Sequence, residues 1–338
     1  MYRSLFPAGS RLRFQSYIMF KWVIAVALIA GAQLAEAAKP TENVPSVRQA
    51  GIVTILEGRA TAIRGLSQFD VLQGMRLLPD DLVRTDESTF LRVEYADQTW
   101  IELGPETVLQ LNHPTQRKRA NRPALYLLAG WVKLECKSDS AASRSLASKD
   151  MDLVDLSGAV VIRANAAGHA IFAEQGTARW INRGVRGAAP ITLNAGEFLL
   201  VSQGQPSGVQ ARPAADFVAA LPRAYLDTLP YRYSLFEART VAPKDQRAFS
   251  YAEVEPWINA EPPVRRQFVV LWRRKAFEPA FREPLDRDLA RHPEWDPVLH
   301  PENYEVKPPT QTGPPGAQTP AALQPPPAPP NTSVPRSN

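Results

Sequence analysis

The chain has 338 residues, with a hydrophobic fraction of 44% and an aromatic fraction of 9%, and is long and apolar enough to bury the cores of two ordinary domains. This composition excludes a chain that is disordered throughout. The formal net charge of +5 falls by three, to +2, when the four basic residues and one acid of residues 1–37 are set aside, and a charge so close to neutral argues against a nucleic-acid partner.

A basic leader and a short apolar run open the sequence. Four basic residues precede the apolar run WVIAVALIAGA at residues 22–32, and Ala-Glu-Ala follows at residues 35–37. These are the parts of a secretory signal peptide, and the run is shorter than the roughly 20 residues that span a bilayer. We therefore expect residues 1–37 to be a signal peptide and the mature chain to be periplasmic. An uncleaved N-terminus anchored in the inner membrane is the alternative, and Met19 is an alternative start to Met1.

Short strands separated by Gly, Pro and Asp fill the next part of the chain. Within residues 90–103, apolar residues alternate with polar ones, turn at residues 96–98 and alternate again, as half-buried antiparallel strands do. A polar connector separates this part from a second stretch with the same rhythm. We predict a mainly β fold, an antiparallel β-sandwich or solenoid-like unit in two lobes, residues 51–136 and 150–211. The single cysteine, Cys136, permits no internal disulfide and is expected to be a half-buried strand residue.

The hydrophobic period becomes helical in the last third of the chain. Pro222 and Pro230 bracket a predicted short helix and linker. From Ser250 onwards the helical spacing is carried by Phe268, Leu271, Trp272 and Ala276, and Pro279 and Pro284 are expected to break the segment into short helices. We predict a mainly helical segment over residues 221–300. Residues 301–338 contain twelve prolines and are predicted to be a disordered tail.

No sequence motif for catalysis is present. The chain lacks a nucleophile elbow, a P-loop, a dinucleotide-binding glycine motif and a zinc-protease motif, and its four histidines share no ligand spacing. We therefore predict no enzyme activity, no catalytic or metal-binding residues and no cofactor.

Four carboxylates within eight residues need a separate interpretation: Asp80, Asp81, Asp86 and Glu87. An EF-hand loop is excluded because the twelfth position from Asp80 is Leu91. A catalytic pair needs one carboxyl group kept neutral in an apolar pocket, whereas Arg76 and Arg84 would keep these acids ionised. We interpret the cluster as a turn, a short strand at residues 82–85 and a second turn.

Two basic clusters are predicted to contact a partner: Arg117, Lys118, Arg119 and Arg122 in one, and Arg273 and Arg274 in the other. The first could meet anionic glycan or lipid headgroups, although a solvated hairpin tip is favoured. Three tryptophans could form a platform that stacks on sugars, although a position in the core is favoured: Trp100, Trp131 and Trp180.

The segment from Gly51 to Leu111 resembles the FecR domain family. The resemblance is carried by Gly51-x-Val53, Arg64, Gly74-x-x-Leu77-x-x-Asp80-Asp81-x-Val83-x-Thr85, the turn in EYADQTWIEL, and GPETVLQL. Where the family usually has Gly-Asp, this chain has Asp80-Asp81, and where the family usually has Asp-Gly, it has Asp97-Gln98. Each departure replaces a glycine, which leaves open how the two turns are built.

The resemblance implies an extracytoplasmic, β-rich sensing or binding domain. In the family it couples an outer-membrane transporter to a sigma-factor regulator through a cytoplasmic N-terminal segment. Only some twenty residues precede the apolar run here, too few for such a segment, so the role in iron signalling is not carried over.

We predict a periplasmic, non-enzymatic binding, scaffold or sensory protein that acts through an envelope protein partner. The alternatives are the periplasmic part of a signal-transduction regulator that works with a separate membrane protein, and a cell-wall glycan binder or hydrolase with peptidoglycan as its partner. Contact with a membrane is expected only through an uncleaved N-terminus.

Overall fold

The structure, a computed structural model, describes residues 50–112, 124–136 and 145–304. The predicted signal peptide and the tail beyond residue 304 lie outside the described residues, as do Arg117, Lys118, Arg119 and Arg122. The described chain divides into two compact units. The larger unit holds residues 50–62 and 70–245, and the smaller unit holds residues 63–69 and 246–304.

The predicted mainly β fold is confirmed. In chain order, the strands of the described residues are β1 (Gly51–Glu57), β2 (Ala60–Arg64), β3 (Ser67–Asp70), β4 (Arg76–Leu77), β5 (Leu82–Thr85), β6 (Phe90–Glu94), β7 (Trp100–Leu103), β8 (Val108–Leu111), β9 (Leu125–Cys136), β10 (Leu146–Ser148), β11 (Met151–Asn165), β12 (Gly168–Ala173), β13 (Thr177–Asn182), β14 (Ile191–Asn194), β15 (Phe198–Ser202), β16 (Gln205–Gln210) and β17 (Lys244–Ala248). The helices are α1 (Ala215–Ala220), α2 (Tyr251–Ile258), α3 (Pro262–Leu271), α4 (Pro279–Arg287) and α5 (Asp296–Leu299).

Two sheets of the larger unit share the long strands β9 and β11. The first sheet runs β1–β6–β7–β9–β11–β12–β15–β16, with every pairing antiparallel. The second sheet joins β5, β8, β9, β10, β11, β13 and β14, and its β9–β10 pairing is parallel. Because both sheets draw strands from the first and the second β stretch, the two stretches form one compact unit.

Each shared strand passes from one sheet to the other at a glycine. Gly130 on β9 has φ 98°, and Gly158 on β11 has φ 69°. A Cβ atom on Gly130 would lie 2.3 Å from Thr107 Cα, and one on Gly158 would lie 2.5 Å from the carbonyl oxygen of Gln175. Both the positive φ and the close backbone therefore require glycine at these two bends.

Alternation along the strands places the apolar residues in the core. Leu91, Val93, Ile101 and Leu134 are each 1% exposed or less. Trp131 and Trp180 are buried and Trp100 is half-buried, in agreement with the favoured interpretation as core residues. Cys136 is in no disulfide and is fully buried rather than half-buried, because it lies at the paired end of β9.

The two turns that lack the family's glycine keep the conformation that glycine favours. Asp80 has φ 71° and Gln98 has φ 60°, both in the left-handed region. In the second turn, Gln98 N donates to the carbonyl of Tyr95, and Asp97 Oδ1 accepts from Thr99 N at 3.1 Å. In these two turns, residues with a Cβ therefore adopt a conformation that has a lower free energy for glycine.

The smaller unit packs short helices around an aromatic core. Trp272 stacks on Phe268 with ring centroids 4.3 Å apart and packs against Phe249 at 5.2 Å. Its indole nitrogen donates to the carbonyl of Gly65 at 3.1 Å. Prolines occupy the first residues of α3 and α4, where a missing backbone N–H is tolerated.

Details of the helical prediction differ from the structure. Pro284 lies inside α4 and does not end it, because Phe281 and Leu285 are buried in the aromatic core and hold the helix through the lost hydrogen bond. Leu271, expected on the buried stripe, is 44% exposed.

The segment 221–300 begins without regular helix. Residues 221–245 belong to the larger unit and contain 3-10 turns at Arg223–Leu226 and Tyr233–Leu235. The α-helix near Pro222 is α1, which ends before this proline rather than following it. In the described ranges, no helix is long and apolar enough to cross a membrane.

Candidate functional site

One face of the first sheet carries charged residues that are nevertheless buried. Arg92 on β6 lies directly opposite Glu102 on β7, and Glu102 lies directly opposite Lys133 on β9. Directly opposed residues project from the same side of a sheet, so these three charges form a row across three strands. Glu94, two residues after Arg92, projects from the same side. We call Arg92, Glu94, Glu102 and Lys133 the charged face.

The charged face is internally paired. The Arg92 Nε atom lies 3.1 Å from Glu94 Oε1 and 3.7 Å from Glu102 Oε1, and the guanidinium group stacks over Trp100 at 4.5 Å. Lys133 Nζ lies 2.7 Å from Glu174 Oε2. Arg92 and Glu94 are at most 1% exposed, so the cost of taking their charges out of water is met only through these pairs and through hydrogen bonds.

Residues 221–236, which we call the strap, bury the charged face. Arg92 Nη1 donates to the carbonyl of Leu229 at 3.2 Å, and Lys133 Nζ donates to the carbonyl of Tyr225 at 2.9 Å. In the opposite sense, the backbone N–H of Arg232 donates to Glu94 Oε2 at 2.7 Å. The charged face thus recognises backbone groups at three positions along the strap.

Aromatic side chains fix the strap at both ends of these contacts. The single hydrogen of the Tyr225 hydroxyl is shared between the carbonyl oxygens of Glu102 at 3.0 Å and Trp131 at 2.9 Å. The Tyr231 hydroxyl donates to the carbonyl of Tyr95, and its ring stacks on Tyr233 with centroids 6.0 Å apart.

Helix α1, directly before the strap, adds an apolar contact to the same side of the sheet. Phe217 packs against Trp131 at 5.2 Å and Phe198 at 5.0 Å between ring centroids. Phe198 and Phe217 also line a cleft of about 230 Å³ together with Arg163 and His169.

Burial changes the titration of three groups around the site. Burial raises the pKa of Glu102 to about 7, against the lowering effect of Arg92 and Lys133. Burial, with the neighbouring Glu102, raises the pKa of Tyr225 well above its usual range. Burial, with the neighbouring Glu94, raises the pKa of Tyr231 to about 12. Glu102 therefore titrates near neutral pH, and the two tyrosines stay protonated as donors.

The acidic cluster does not converge on a site. Asp81 is fully buried, and its Oδ2 accepts from the backbone N–H of Leu78 at 2.8 Å. Asp80 lies in the first turn, β5 follows, and the exposed Asp86 and Glu87 lie in the second turn. This confirms the interpretation as turn, strand and turn. Within the described ranges, no group of three or more His, Cys, Asp or Glu residues could hold a metal ion.

The residues predicted as a partner surface and the charged face are different sets. Arg273 and Arg274 are exposed residues of the smaller unit. Arg92 and Glu94 were interpreted only as the polar positions of a half-buried strand, because alternation alone cannot reveal that another segment covers them. Three tyrosines and two prolines in LPRAYLDTLPYRY are the one sequence signal for such a segment, since aromatic residues outside a strand or helix need a surface to pack on.

Among known proteins, solved structures with a low TM-score are similar to part of this chain. No family model matches the chain, and no curated protein matches it. Two crystal structures of a "putative anti-sigma factor" from Parabacteroides distasonis ATCC 8503 are similar to part of the chain, with 16% and 13% identity and a TM-score of 0.33 each. Each similarity covers 40% of this chain, and the chain spans 62% and 61% of those structures. A TM-score of 0.33 carries no argument, so the FecR resemblance stays a prediction.

Proposed function

We propose that this chain is an exported, non-enzymatic binding or sensory protein of the periplasm, and that its β unit binds a peptide segment of an envelope protein at the charged face. The observation that carries the proposal is the strap, a segment without regular strand or helix pairing that is held through its own backbone groups by Arg92, Glu94 and Lys133. A surface that holds one irregular segment in this way has the chemistry to hold another.

In this proposal the strap acts as a ligand supplied by the chain itself. Tethering gives it an effective concentration in the millimolar range, so a partner segment must compete with it. Displacement of the strap would expose the charged face and report that a partner is present. This is the behaviour expected of a sensory protein, and it agrees with the FecR resemblance without the role in sigma-factor control.

The test is binding of a synthetic peptide to the full chain. A fluorescent peptide with the sequence of residues 221–236 should bind weakly to the wild-type protein, whose face is occupied. It should bind at least tenfold more tightly to a Tyr225→Ala variant, in which the internal strap has lost the Tyr225 hydroxyl and ring contacts. Addition of Arg92→Gln and Glu94→Gln should remove the gain.

The controls separate binding from unfolding. A scrambled peptide of the same composition should not bind, and the Tyr225→Ala variant must retain a cooperative melting transition. If a folded Tyr225→Ala variant binds the strap and scrambled peptides equally, the charged face is not a peptide site. Binding of purified peptidoglycan in place of the peptide would favour the glycan alternative.

Export and partner identity need experiments in cells. A soluble periplasmic protein that lacks residues 1–37 would support the proposal, while a full-length form retained in the membrane would favour a regulator that works with a separate membrane protein. Site-specific photocrosslinking from Trp100, which is half-buried beside the strap, should capture an envelope protein more efficiently in the Tyr225→Ala variant than in the wild type.

A further inference from the structure

The outer side of α3 and the turn after it carries large apolar side chains in solvent. Val270 is 81% exposed, Phe277 is 62% exposed and Leu271 is 44% exposed. Burial of Val264, Phe268, Trp272 and Ala276 already accounts for the packing of this segment. Folding of the smaller unit therefore does not explain the second apolar side, and exposed apolar groups so close together usually mark an interaction surface.

The exposed residues form a stripe rather than a scatter. Helix α3 ends at Leu271, where Trp272 has φ −107° and ψ 16°, and a 3-10 turn follows at Lys275–Phe277. Residues 266, 270, 273, 274 and 277 are all exposed, whereas Val264, Phe268, Trp272 and Ala276 are buried, so the exposed set faces away from the aromatic core. We call Arg266, Val270, Arg273, Arg274 and Phe277 the outer stripe.

The charge of this segment has one sign. Residues 262–277 contain five basic residues and no acidic one. Arg265 and Arg266 are paired with Glu294 at 2.8 Å and 3.9 Å, and Lys275 is paired with Glu278. Arg273 and Arg274 are exposed and form no ion pair within the part of the chain that the structure describes. Two uncompensated cations therefore flank the exposed valine and phenylalanine.

We propose that the outer stripe docks on the surface of an anionic lipid bilayer. An amphipathic element lies in the plane of a membrane when apolar side chains enter the acyl boundary and arginines beside them meet anionic headgroups. The outer stripe supplies both parts on one side. This surface is separate from the charged face. It adds a membrane contact to the one expected from the sequence, which depends on the alternative of an uncleaved N-terminus.

The test reads out the outer stripe itself, because the full chain also holds an apolar N-terminal run. A Val270→Cys variant of the full chain is labelled with an environment-sensitive dye under native conditions, where the buried Cys136 is protected. Vesicles with about a third phosphatidylglycerol should shift the emission to the blue, and brominated acyl chains should quench it. Vesicles of phosphatidylcholine alone should do neither. The matched control is the same dye at Arg287→Cys, an exposed position outside the outer stripe.

The arginines are tested in the labelled background. Arg273→Gln with Arg274→Gln should lower the partition coefficient about twenty-five-fold, since each cation near an anionic surface contributes about fivefold. Arg287→Gln with Arg291→Gln removes the same charge elsewhere in the smaller unit and should have little effect. Added salt should weaken binding of the wild type.

Several results would overturn the proposal. The proposal fails if the dye at position 270 does not respond to anionic vesicles, or if it responds no more than the dye at position 287. It also fails if the two pairs of arginine substitutions weaken binding equally. None of these results bears on the peptide site of the larger unit, because the charged face contains none of the substituted residues.

Discussion

The hydroxyl group of Tyr225 lies 3.0 Å from the backbone carbonyl oxygen of Glu102, a residue 123 positions earlier in the chain. The same hydroxyl reaches the carbonyl of Trp131 at 2.9 Å, so one strap side chain is joined to two neighbouring strands. The side chain of the same Glu102 has its pKa raised to about 7 by burial, and its charge contributes to raising the pKa of Tyr225. The strap therefore docks at the same residue, Glu102, whose side chain can hold a proton near neutral pH.

Replacement of Tyr225 by Phe should destabilise the protein. The change leaves the ring in place and removes a buried donor from two carbonyls, which costs about 1–3 kcal/mol in the free energy of unfolding. Urea denaturation of the two proteins measures this difference. Tyr233→Phe is the matched control, because its ring is half-buried on the strap and its hydroxyl bonds to no described residue. Equal losses in the two variants would contradict the role assigned to the Tyr225 hydroxyl.

The stability of the protein should fall as pH rises towards neutrality, because of Glu102. The pKa of Glu102 is about 7 in the folded protein, against 4.5 for an unperturbed glutamate. Between these values the folded state holds a proton that the unfolded state has lost, so the folded state is favoured at low pH and loses this advantage as pH rises. The difference corresponds to about 3 kcal/mol.

A Glu102→Gln variant isolates this contribution. Its free energy of unfolding relative to wild type should increase by about 3 kcal/mol between pH 4.5 and pH 8, because glutamine does not titrate. Glu106→Gln, the same substitution at an exposed position nearby in the sequence, is the control. A difference between Glu102→Gln and wild type that does not vary with pH would show that Glu102 titrates normally.

Two histidines should titrate on opposite sides of the usual value. Burial lowers the pKa of His169 to about 4, with its Nε2 held 2.8 Å from Ser148 Oγ, while a hydrogen bond to Asp286 raises the pKa of His300 above 6.5. In an NMR titration, the His169 ring signals should stay constant down to about pH 5 and the His300 signals should move above pH 6.5.

The linkage of His169 to stability has the opposite sign to that of Glu102. Between pH 6.5 and 4 the unfolded chain binds a proton at His169 that the folded chain does not, so acidification should destabilise the fold. His169→Gln, measured at pH 4.5 and pH 7, should lose less stability on acidification than the wild type. An equal loss would mean that the ring is protonated in the folded state.

Gln98→Gly should stabilise the β6–β7 turn. Gln98 adopts φ 60°, which costs a residue with a Cβ about 1 kcal/mol and costs glycine almost nothing. Part of this gain is lost to the greater freedom of glycine in the unfolded chain, so we expect an increase of up to about 1 kcal/mol in the free energy of unfolding. Ala96→Gly, in the same exposed turn but without a positive φ, should destabilise by about 0.5–1 kcal/mol. A loss at both positions would contradict the account of this turn.

Local features of the fold were predictable from the sequence. The alternation around Leu91 and Val93 predicted the apolar side of β6, although the other side is buried as well. The acidic cluster was correctly divided into turn, strand and turn because prolines, aspartates and serines mark turns by their own backbone chemistry. The left-handed Gln98 was not foreseen, since glutamine has no intrinsic preference for that region and the surrounding hairpin imposes it.

The charged face was not predictable from local pattern. Arg92 and Glu102 have the spacing of solvent-exposed strand residues, and only contacts with a segment more than 120 residues away bury them. The apolar residues of the strap, Leu221, Ala224 and Leu229, pack on the core but do not indicate that the strap covers charges. Its contacts with the charged face are made by backbone carbonyls and one backbone N–H, which leave no pattern in the sequence. The prediction that Leu271 is buried was wrong for a related reason, since helical spacing alone does not tell which side of a helix meets a core.

The distance in sequence between the charged face and the strap also sets an order of events. Synthesis delivers a chain from its N-terminus, so β6, β7 and β9 are available long before residue 232, whose backbone N–H closes on Glu94 across 138 positions. During that interval one side of the sheet has no cover. An apolar side exposed for so long would promote aggregation. Arginine, lysine and glutamate side chains instead keep this side of the incomplete chain hydrated until the strap covers it. The charges that are costly in the finished protein are protective in the unfinished one.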